Sequence, residues 1–377
     1  MTVIEEENRM LIQMVKEFTA NELAPLDMEI DQKGDYPAGL FQRVIDNGLL
    51  KITLPSQYGG AGFDYTAAAD ALNKMAIGNA SMAVTLEGHF KTIEQFTKYG
   101  QPSLNDKYLP SAGHRIFAFS MTEPSGGSNP KGISTRAVKQ GDNWVITGDK
   151  IMITNGGLAE VYCILSKTED DQMAVFVVDK DMPGCQFGKR EDFIGLRGTP
   201  VGEVVLDHVV VPADHLLGKV GQGLEIGDNA HADARVLMGA ILAGIIEHEL
   251  GIAINYSKER KALTTPLYQL QVIQEKIADI AIARQNTRAL YQKGAQQKVA
   301  NQLYAETAAM AKSYGSRAAV RSGDEALQVL GGYGYSREYP VEHLIRDARA
   351  MELAEGTIEK MNLEITNAEI LSRPLSK

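Results

Sequence analysis

The sequence contains few of the residues that covalent cross-links or membrane spans require. Among its 377 residues only Cys163 and Cys185 are cysteines, so no disulfide framework is indicated and a reducing, cytoplasmic compartment is expected. The N-terminus is acidic and has no apolar signal core. The longest apolar run, residues 236–246, is about half the length of a membrane span. We therefore expect neither a secreted protein nor a membrane protein.

An excess of positive charge is also missing. The formal net charge of −10 argues against a nucleic-acid-binding surface. The seven histidines are scattered without the spacing of metal ligands, so no metal site is predicted. Residues 221–227 are rich in glycine, but their spacing does not match a dinucleotide-binding loop and no βαβ unit surrounds them. The sequence therefore argues against an NAD-binding Rossmann domain.

Three regions with different hydrophobic periods fill the chain. Residues 1–114 and 222–377 have helical spacing, whereas residues 115–221 alternate with a period of two. No helical pattern separates the successive β runs, which favours an antiparallel sheet. The sequence therefore predicts an α+β fold with an N-terminal α-helical domain, a middle antiparallel β domain and a C-terminal helical bundle. Because no repeat or low-complexity linker is present, we expect the three domains to pack together.

A single carboxylate near the C-terminus has an unusual setting. Glu355 follows a helical run and is followed at once by Gly356 and Thr357. This pattern can place an acid in a dry cleft, where burial would raise its pKa and make it a stronger base. The alternative is a solvated acid at a helix end, and the spacing of Glu352, Glu355 and Glu359 also fits one acidic helical face.

Two further stretches carry polar groups on a β framework. Residues 117–129 begin as an apolar strand and continue into a loop rich in glycine and hydroxyls. Such a loop can offer N–H groups and hydroxyls to an anionic or heteroaromatic ligand, although a polar β-turn has the same composition. Residues 148–156 alternate as a strand with one available face and end in a turn.

Taken in order, these motifs resemble the flavin-dependent acyl-CoA dehydrogenases over essentially the whole chain. The loops at 55–62 and 330–342 fit the same pattern. The resemblance implies an FAD-dependent dehydrogenase in which Glu355 removes the α-proton of an acyl thioester while flavin N5 accepts the β-hydride. An α,β-enoyl thioester results, and an electron-transferring flavoprotein is the expected acceptor. The enolate-like charge would be stabilised by the Glu355 N–H and a ribityl hydroxyl.

The resemblance also assigns roles to individual residues. The expected flavin-binding residues are Phe119, Met121, Thr122, Ser128, Met152, Ile153 and Thr154. The FAD phosphates are expected to meet Thr357 and Glu359, and, from a neighbouring subunit, Arg260, Gln271, Gln328, Gly331 and Gly332. The expected substrate-binding residues are Ser128, Arg235, Glu87 and Gly356. A homo-oligomer, dimer or tetramer, follows from the shared FAD site.

Several residues depart from the family pattern or decide between alternatives. Some relatives place the base just before the arginine that matches Arg235, but Ala234 occupies that position, which favours Glu355. Ala354 would open the acyl pocket, because an aromatic residue often stands there. His89 and Lys91 are unusually polar for the pocket floor, and we interpret them as surface positions of a helix.

Two competing functions remain open at this level. The first is a dehydrogenase that acts on an acyl or aminoacyl group attached to a carrier protein, which the opened pocket and the polar segment 87–91 motivate. The second is a non-catalytic flavoprotein of the same fold, with a binding or regulatory role that includes nucleic acid. The net charge of −10 argues against the second.

Overall fold

The computed structural model describes residues 3–127 and 129–372, and the predicted order of helical, β and helical parts is confirmed. The N-terminal part contains α1 (Val3–Phe18), α2 (Asp27–Lys33), α3 (Leu40–Asp46), α4 (Tyr65–Ala76), α5 (Ala80–Tyr99) and α6 (Pro102–Tyr108). The start of α4 is capped by the Asp64 side chain, which accepts from Ala67 N, and that of α5 by the Asn79 side chain, which accepts from Met82 N. These caps fix where the two buried helices begin.

The middle part is a single twisted sheet. Its strands are β1 (Phe117–Ser120), β2 (Arg136–Gln140), β3 (Asn143–Thr154), β4 (Val161–Thr168), β5 (Met173–Asp179), β6 (Cys185–Arg190), β7 (Val201–Pro212) and β8 (Leu216–Leu217). The order is β6-β7-β3-β2-β4-β5-β8, and β1 pairs with β4. The described pairings are antiparallel, as expected, except those of β4 with β1 and β2. These two are parallel because the chain leaves β3 and crosses to the far side of β2 before it forms β4.

The C-terminal part is a helical bundle. Its helices are α7 (Gly223–Glu259), α8 (Gln271–Val299), α9 (Ala305–Leu330), α10 (Val341–Leu353) and α11 (Ile358–Ser372), and the short strands β9 (Lys261–Ala262) and β10 (Thr265–Pro266) follow α7. Helix α7 packs against α4, α5, α8 and α9. At Gly244 a Cβ atom would lie 2.4 Å from the Asn73 carbonyl oxygen, so glycine permits the close contact of α7 with α4.

Helix α7 is also long and apolar enough to cross a membrane by length and composition alone. In the structure 72% of its most apolar window is buried, and the helix packs against α4, α5, α8 and α9. A buried core helix passes the same test of length and hydropathy, so this helix is weak evidence for a membrane span. The domain limits 1–114, 115–221 and 222–377 stay predictions; β1 begins at Phe117 and α7 at Gly223.

Candidate active site

Glu355 lies in the turn between α10 and α11, with a φ of 54°, and Gly356 follows with a φ of 96°. Helix α10 ends at Leu353, so Glu352, Glu355 and Glu359 do not share a helical face, and that interpretation was wrong. The left-handed backbone turns the Glu355 side chain inward, where it is 14% exposed. A solvated helix end is therefore also wrong, and the expected buried carboxylate is present.

A lysine from α5 contacts this carboxylate. Lys91 Nζ donates to Glu355 Oε1 and lies 3.5 Å from Glu87 Oε1. The expectation that His89 and Lys91 are surface residues was wrong, because they are 0% and 5% exposed. His89 points into the core, where its Nδ1 accepts from Phe117 N at 3.1 Å. Lys91 lies one half-turn further along α5 and faces the site.

The charge of Lys91 reverses the expected direction of the pKa shift of Glu355. Burial alone would raise the pKa of Glu355, but the Lys91 ammonium, with a smaller effect of Arg235, lowers it to about 2. Burial raises the pKa of Glu87 to about 8, in spite of Lys91. Burial also lowers the pKa of His231 to about 4, so this imidazole is neutral beside Glu355, with Nε2 3.6 Å from Oε2. In this geometry Glu355 is thus a weaker base than an ordinary glutamate, and not the stronger base that burial alone predicts.

The backbone of the turn is held by two further cations. Arg235 Nε donates to the Glu355 carbonyl at 3.0 Å, while its guanidinium pairs with Glu364 at 2.6 Å. The fully buried Lys312 donates to the carbonyl oxygens of Glu352, at 3.1 Å, and of Gly356. Arg235 was expected to bind substrate, and the structure places it on the turn that carries the base. Ala234, beside it on α7, is buried and supplies no acid.

Apart from Ser128, the expected flavin-binding residues lie on β1 with the loop after it and on the end of β3, and these two joined segments are called the wall. Ile151 N donates to the Thr122 carbonyl at 2.9 Å and joins the loop after β1 to β3. Thr154 at the end of β3 lies against α5, since a Cβ atom at Gly88 would be 3.3 Å from its Cγ2. Helix α5 therefore contacts both this wall, through Gly88, and the base, through Lys91.

The chemistry of the wall fits a flat heteroaromatic group. Met152 is left 47% exposed at a β-bulge with a φ of 56°, Phe119 and Thr122 are half-buried, and Met121 and Ile153 are buried. Apolar side chains beside threonine hydroxyls offer both a ring face and hydrogen-bond partners for a ring edge. Ser128, expected to meet both flavin and substrate, lies outside the described residues.

A buried ion pair stabilises the loop that carries part of this wall. The sequence analysis did not predict this pair. Lys150 Nζ donates to Glu123 Oε1 at 2.7 Å and to the Met121 carbonyl at 3.2 Å, and both charged side chains are 0% exposed. Glu123 also accepts from the backbone and hydroxyl groups of Ser134 and Thr135. The Lys150 ammonium, together with these hydrogen bonds, lowers the pKa of Glu123 to about 2 against the effect of burial.

Four of the five residues expected to act from a neighbouring subunit line a separate groove. Arg260, Gln328, Gly331 and Gly332 line one cavity of about 760 Å³. Gln271 begins α8 and is exposed, but it is not among the lining residues. On the active-site side, the Thr357 hydroxyl accepts from Lys360 N at 3.4 Å and so caps α11, in whose first turn Glu359 is exposed.

One group of side chains bears on the expected absence of a metal. Ligand atoms of Asp31, His343 and Asp347 lie within 4.8 Å of one another, which is close enough for a shared cation by spacing alone. Asp31 however accepts from both terminal nitrogens of Arg346, at 2.9 and 2.7 Å. A guanidinium therefore already supplies positive charge to this group.

Family models match nearly the whole chain. The N-terminal, middle and C-terminal domains of acyl-CoA dehydrogenases match residues 5–113, 118–209 and 221–370. The chain is 34% identical over 367 residues to the mitochondrial short-chain specific acyl-CoA dehydrogenase of Homo sapiens, covering 96% of this chain and 89% of that protein. Helical, β and helical domains around a largely buried acid define the class. The chain belongs to the acyl-CoA dehydrogenase family, whose members are flavoprotein oxidoreductases that act on CH–CH groups.

Solved structures agree with this assignment. The butyryl-CoA dehydrogenase of Megasphaera elsdenii has a TM-score of 0.94 at 31% identity, with 98% of this chain and 99% of that chain covered. A glutaryl-CoA dehydrogenase of Mycobacterium smegmatis, solved in complex with FADH2, has a TM-score of 0.91 at 27% identity, with 98% and 96% covered.

Proposed function

We propose that this chain is an FAD-dependent dehydrogenase of acyl thioesters, with acyl-CoA as the substrate and Glu355 as the base. The observation that carries the proposal is a pair of contacts made by α5, which meets the Glu355 carboxylate through Lys91 and Thr154 through Gly88. A base on one side and a flavin on the other is the geometry that removal of a proton and a hydride from adjacent carbons requires. The complex of a relative with FADH2 supports FAD as the cofactor.

Bound FAD would supply the acceptor for the β-hydride. Phe119, Met121, Met152 and Ile153 would cover its ring, and Thr122 and Thr154 would hydrogen-bond its edge. Glu355 Oε2 has no hydrogen-bond partner among the described residues, so it is free to take a proton from the substrate α-carbon. Arg235 holds the carbonyl group of Glu355 itself and Lys312 holds that of Gly356, and these contacts would fix the direction of the carboxylate.

The assembly and the electron acceptor belong to the same proposal. The groove of Arg260, Gln328, Gly331 and Gly332, with Gln271 beside it, would meet the FAD phosphates of a neighbouring subunit, which makes a dimer or tetramer the working form. Thr357 and Glu359 would face the phosphates of the subunit's own FAD. Electrons would pass to an electron-transferring flavoprotein, and a cytoplasmic location stays a prediction.

The experiment compares wild type with Glu355→Gln. We expect yellow protein with about one FAD per chain, and anaerobic bleaching of the flavin by an acyl-CoA panel. Loss of a general base should slow bleaching by about 10²–10⁴-fold while FAD stays bound. Colourless protein that cannot be reconstituted with FAD would refute the proposal, and undiminished bleaching by the variant would place the base elsewhere. Bleaching only by carrier-protein thioesters would favour the alternative substrate.

A further inference from the structure

A histidine lies next to the carboxylate oxygen of the base that has no partner. Glu355 Oε2 has no hydrogen-bond partner among the described residues, whereas Oε1 accepts from Lys91. His231 lies on α7 with Nε2 3.6 Å from Oε2. Its side chain is 23% exposed, and its Nδ1 is buried without a hydrogen-bond partner in the part of the chain that the structure describes. An imidazole is thus close to the oxygen that would receive the α-proton.

We propose that His231 is the proton acceptor of Glu355: once Oε2 holds the α-proton of the thioester, the proton passes to His231 Nε2. This inference rests on the proposed function and adds a residue to the reaction at that same site. In the first step the bond between the α-carbon and its hydrogen breaks and an Oε2–H bond forms, while the hydride leaves the β-carbon for the flavin. In the second step the Oε2–H bond breaks and an Nε2–H bond forms, which leaves a carboxylate and an imidazolium. Water takes the proton from the imidazolium afterwards.

The two cations near this carboxylate cannot accept a proton. Lys91 donates to Oε1 as an ammonium group, whose nitrogen has no lone pair. The Arg235 guanidinium stays protonated at any ordinary pH and donates to the Glu355 carbonyl. Glu87 contacts Lys91, on the side of Oε1. A neutral imidazole with its hydrogen on Nδ1 presents the lone pair of Nε2 to Oε2, so His231 has the capacity that the two cations lack.

Helix α7 fixes the imidazole relative to the base. His231 and Arg235 lie one turn apart on the same face of this helix. Arg235 Nε donates to the Glu355 carbonyl at 3.0 Å, so the turn that carries the base is bonded to that face. The 3.6 Å between Nε2 and Oε2 exceeds the roughly 2.6–3.2 Å of a hydrogen bond, but contacts between catalytic groups often tighten, or are bridged by one water, when the substrate binds.

The proton is more stable on the imidazole than on the carboxylate. Against the raising effect of burial, the Lys91 ammonium lowers the pKa of Glu355 to about 2. Burial lowers the pKa of His231 only to about 4. The charged groups that act on this imidazole are Glu355 in the turn, which favours the imidazolium, and Lys91 on α5, Arg235 on α7 and Lys360 on α11, which oppose it. Transfer from Oε2 to Nε2 therefore runs toward the stronger base.

The experiment follows the α-proton separately from the hydride. It uses FAD-loaded wild-type protein, an acyl-CoA that bleaches the flavin, such as hexanoyl-CoA, and the 3-thia analogue of that acyl-CoA, in which sulfur replaces the β-carbon. The analogue has α-protons but no β-hydride, so a proton that reaches Glu355 either returns to the α-carbon or exchanges with solvent. In D2O we expect the protein to introduce deuterium at the α-carbon, measured by mass spectrometry against a sample without protein. Single-turnover bleaching by the acyl-CoA measures the first step alone.

Replacement of the imidazole then assigns the exchange to His231. His231→Gln keeps a polar side chain but cannot take up the proton, so deuterium incorporation should slow by at least about tenfold. Single-turnover bleaching should change by less than about threefold, because the first step does not need His231. His208→Gln is the control and should change neither rate, since that side chain is 75% exposed. FAD content and circular dichroism establish that both variants are folded.

Three results would overturn the inference. Incorporation by His231→Gln within about threefold of wild type would show that the proton leaves by another route. An equal loss of incorporation and bleaching would show that His231 only positions Glu355. Wild-type protein that is bleached but introduces no deuterium keeps the proton on Glu355, and this result needs no variant. FAD-loaded wild-type protein that no thioester bleaches and that introduces no deuterium refutes the proposed function, whereas bleaching without incorporation refutes this inference alone.

Discussion

Removal of the buried Lys150 should release the loop that carries half of the flavin wall. In Lys150→Met the Glu123 carboxylate, 0% exposed in the structure, loses the ammonium group at 2.7 Å that is its cationic partner among the described residues. Removal of one partner of a buried ion pair lowers the free energy of unfolding by about 3–5 kcal/mol, because the remaining charge is left unpaired away from water. The Ser134 and Thr135 amides, which donate to Glu123, should therefore exchange with solvent more than about 100-fold faster. Hydrogen exchange of peptides that span residues 129–140 measures this change.

Two controls separate this effect from a general loss of stability. Lys33→Met removes the partner of Glu29 in an exposed ion pair, in which the Lys33 side chain is 67% and the Glu29 side chain 40% exposed. The free energy of unfolding should change by no more than about 1 kcal/mol. The double variant with Glu123→Gln and Lys150→Met should recover part of the protection, because the amide still accepts hydrogen bonds without an unpaired charge. If exchange in residues 129–140 accelerates less than about threefold in Lys150→Met, this ion pair does not hold the loop and the reasoning is wrong.

Two further predictions test the turn and the packing of the domains. Gly356→Ala puts a Cβ atom 2.9 Å from Met361 Cε at a residue whose φ is 96°. The resulting backbone strain of about 1–3 kcal/mol should shift Glu355. We therefore expect anaerobic flavin reduction to slow by at least about tenfold while FAD stays bound. The control is Gly251→Ala on α7, where the new methyl group meets no atom within 4 Å, and equal rates for both variants would contradict the prediction. His343 is buried, but the Asp27 carboxylate at 3.0 Å and Asp347 raise its pKa from 6.5 to about 11. Because the folded pKa is raised, the stabilisation is full below about pH 6.5 and is lost as the pH rises toward 11, so the thermal unfolding midpoint should fall across that window. His343→Gln should flatten this pH dependence, and an unchanged slope would exclude His343 as its source.

The order of the domains could be read from the sequence because it depends on local periods. Runs such as residues 174–178 alternate or are continuously apolar, and α7 has helical spacing over its whole length. The type of each element can therefore be predicted from residues that are close together in the sequence. The place of β4 between β1 and β2 depends on long-range pairing, and no local pattern encodes it. The parallel pairs of β4 were missed for this reason.

The residues of the candidate site also fall into those that a local motif predicts and those that long-range packing brings in. Glu355, Gly356 and Thr357 form a local motif, and the motif was enough to select the acid. The residues that control the acid come from elsewhere in the chain: Lys91 is 264 positions away, and Lys312 is 44 positions from the Gly356 carbonyl that it holds. A lysine and a histidine inside an apolar helix are ordinarily read as surface residues, and only the packing of α5 reveals that both are buried.

The state of the base follows from these long-range contacts and not from burial alone. A carboxylate with a pKa near 2 is poorly matched to an α-proton, since a general base works best with a pKa near the operating pH. The contact of Lys91 with Oε1 lowers the basicity of the whole carboxylate, although Oε2 itself has no hydrogen-bond partner among the described residues. Glu87, 3.5 Å from Lys91, can take over this lysine only by giving up the proton that its raised pKa retains. The largest single cause of the lowered pKa of the base is thus the ammonium group of Lys91, which lies between the carboxyl groups of Glu355 and Glu87.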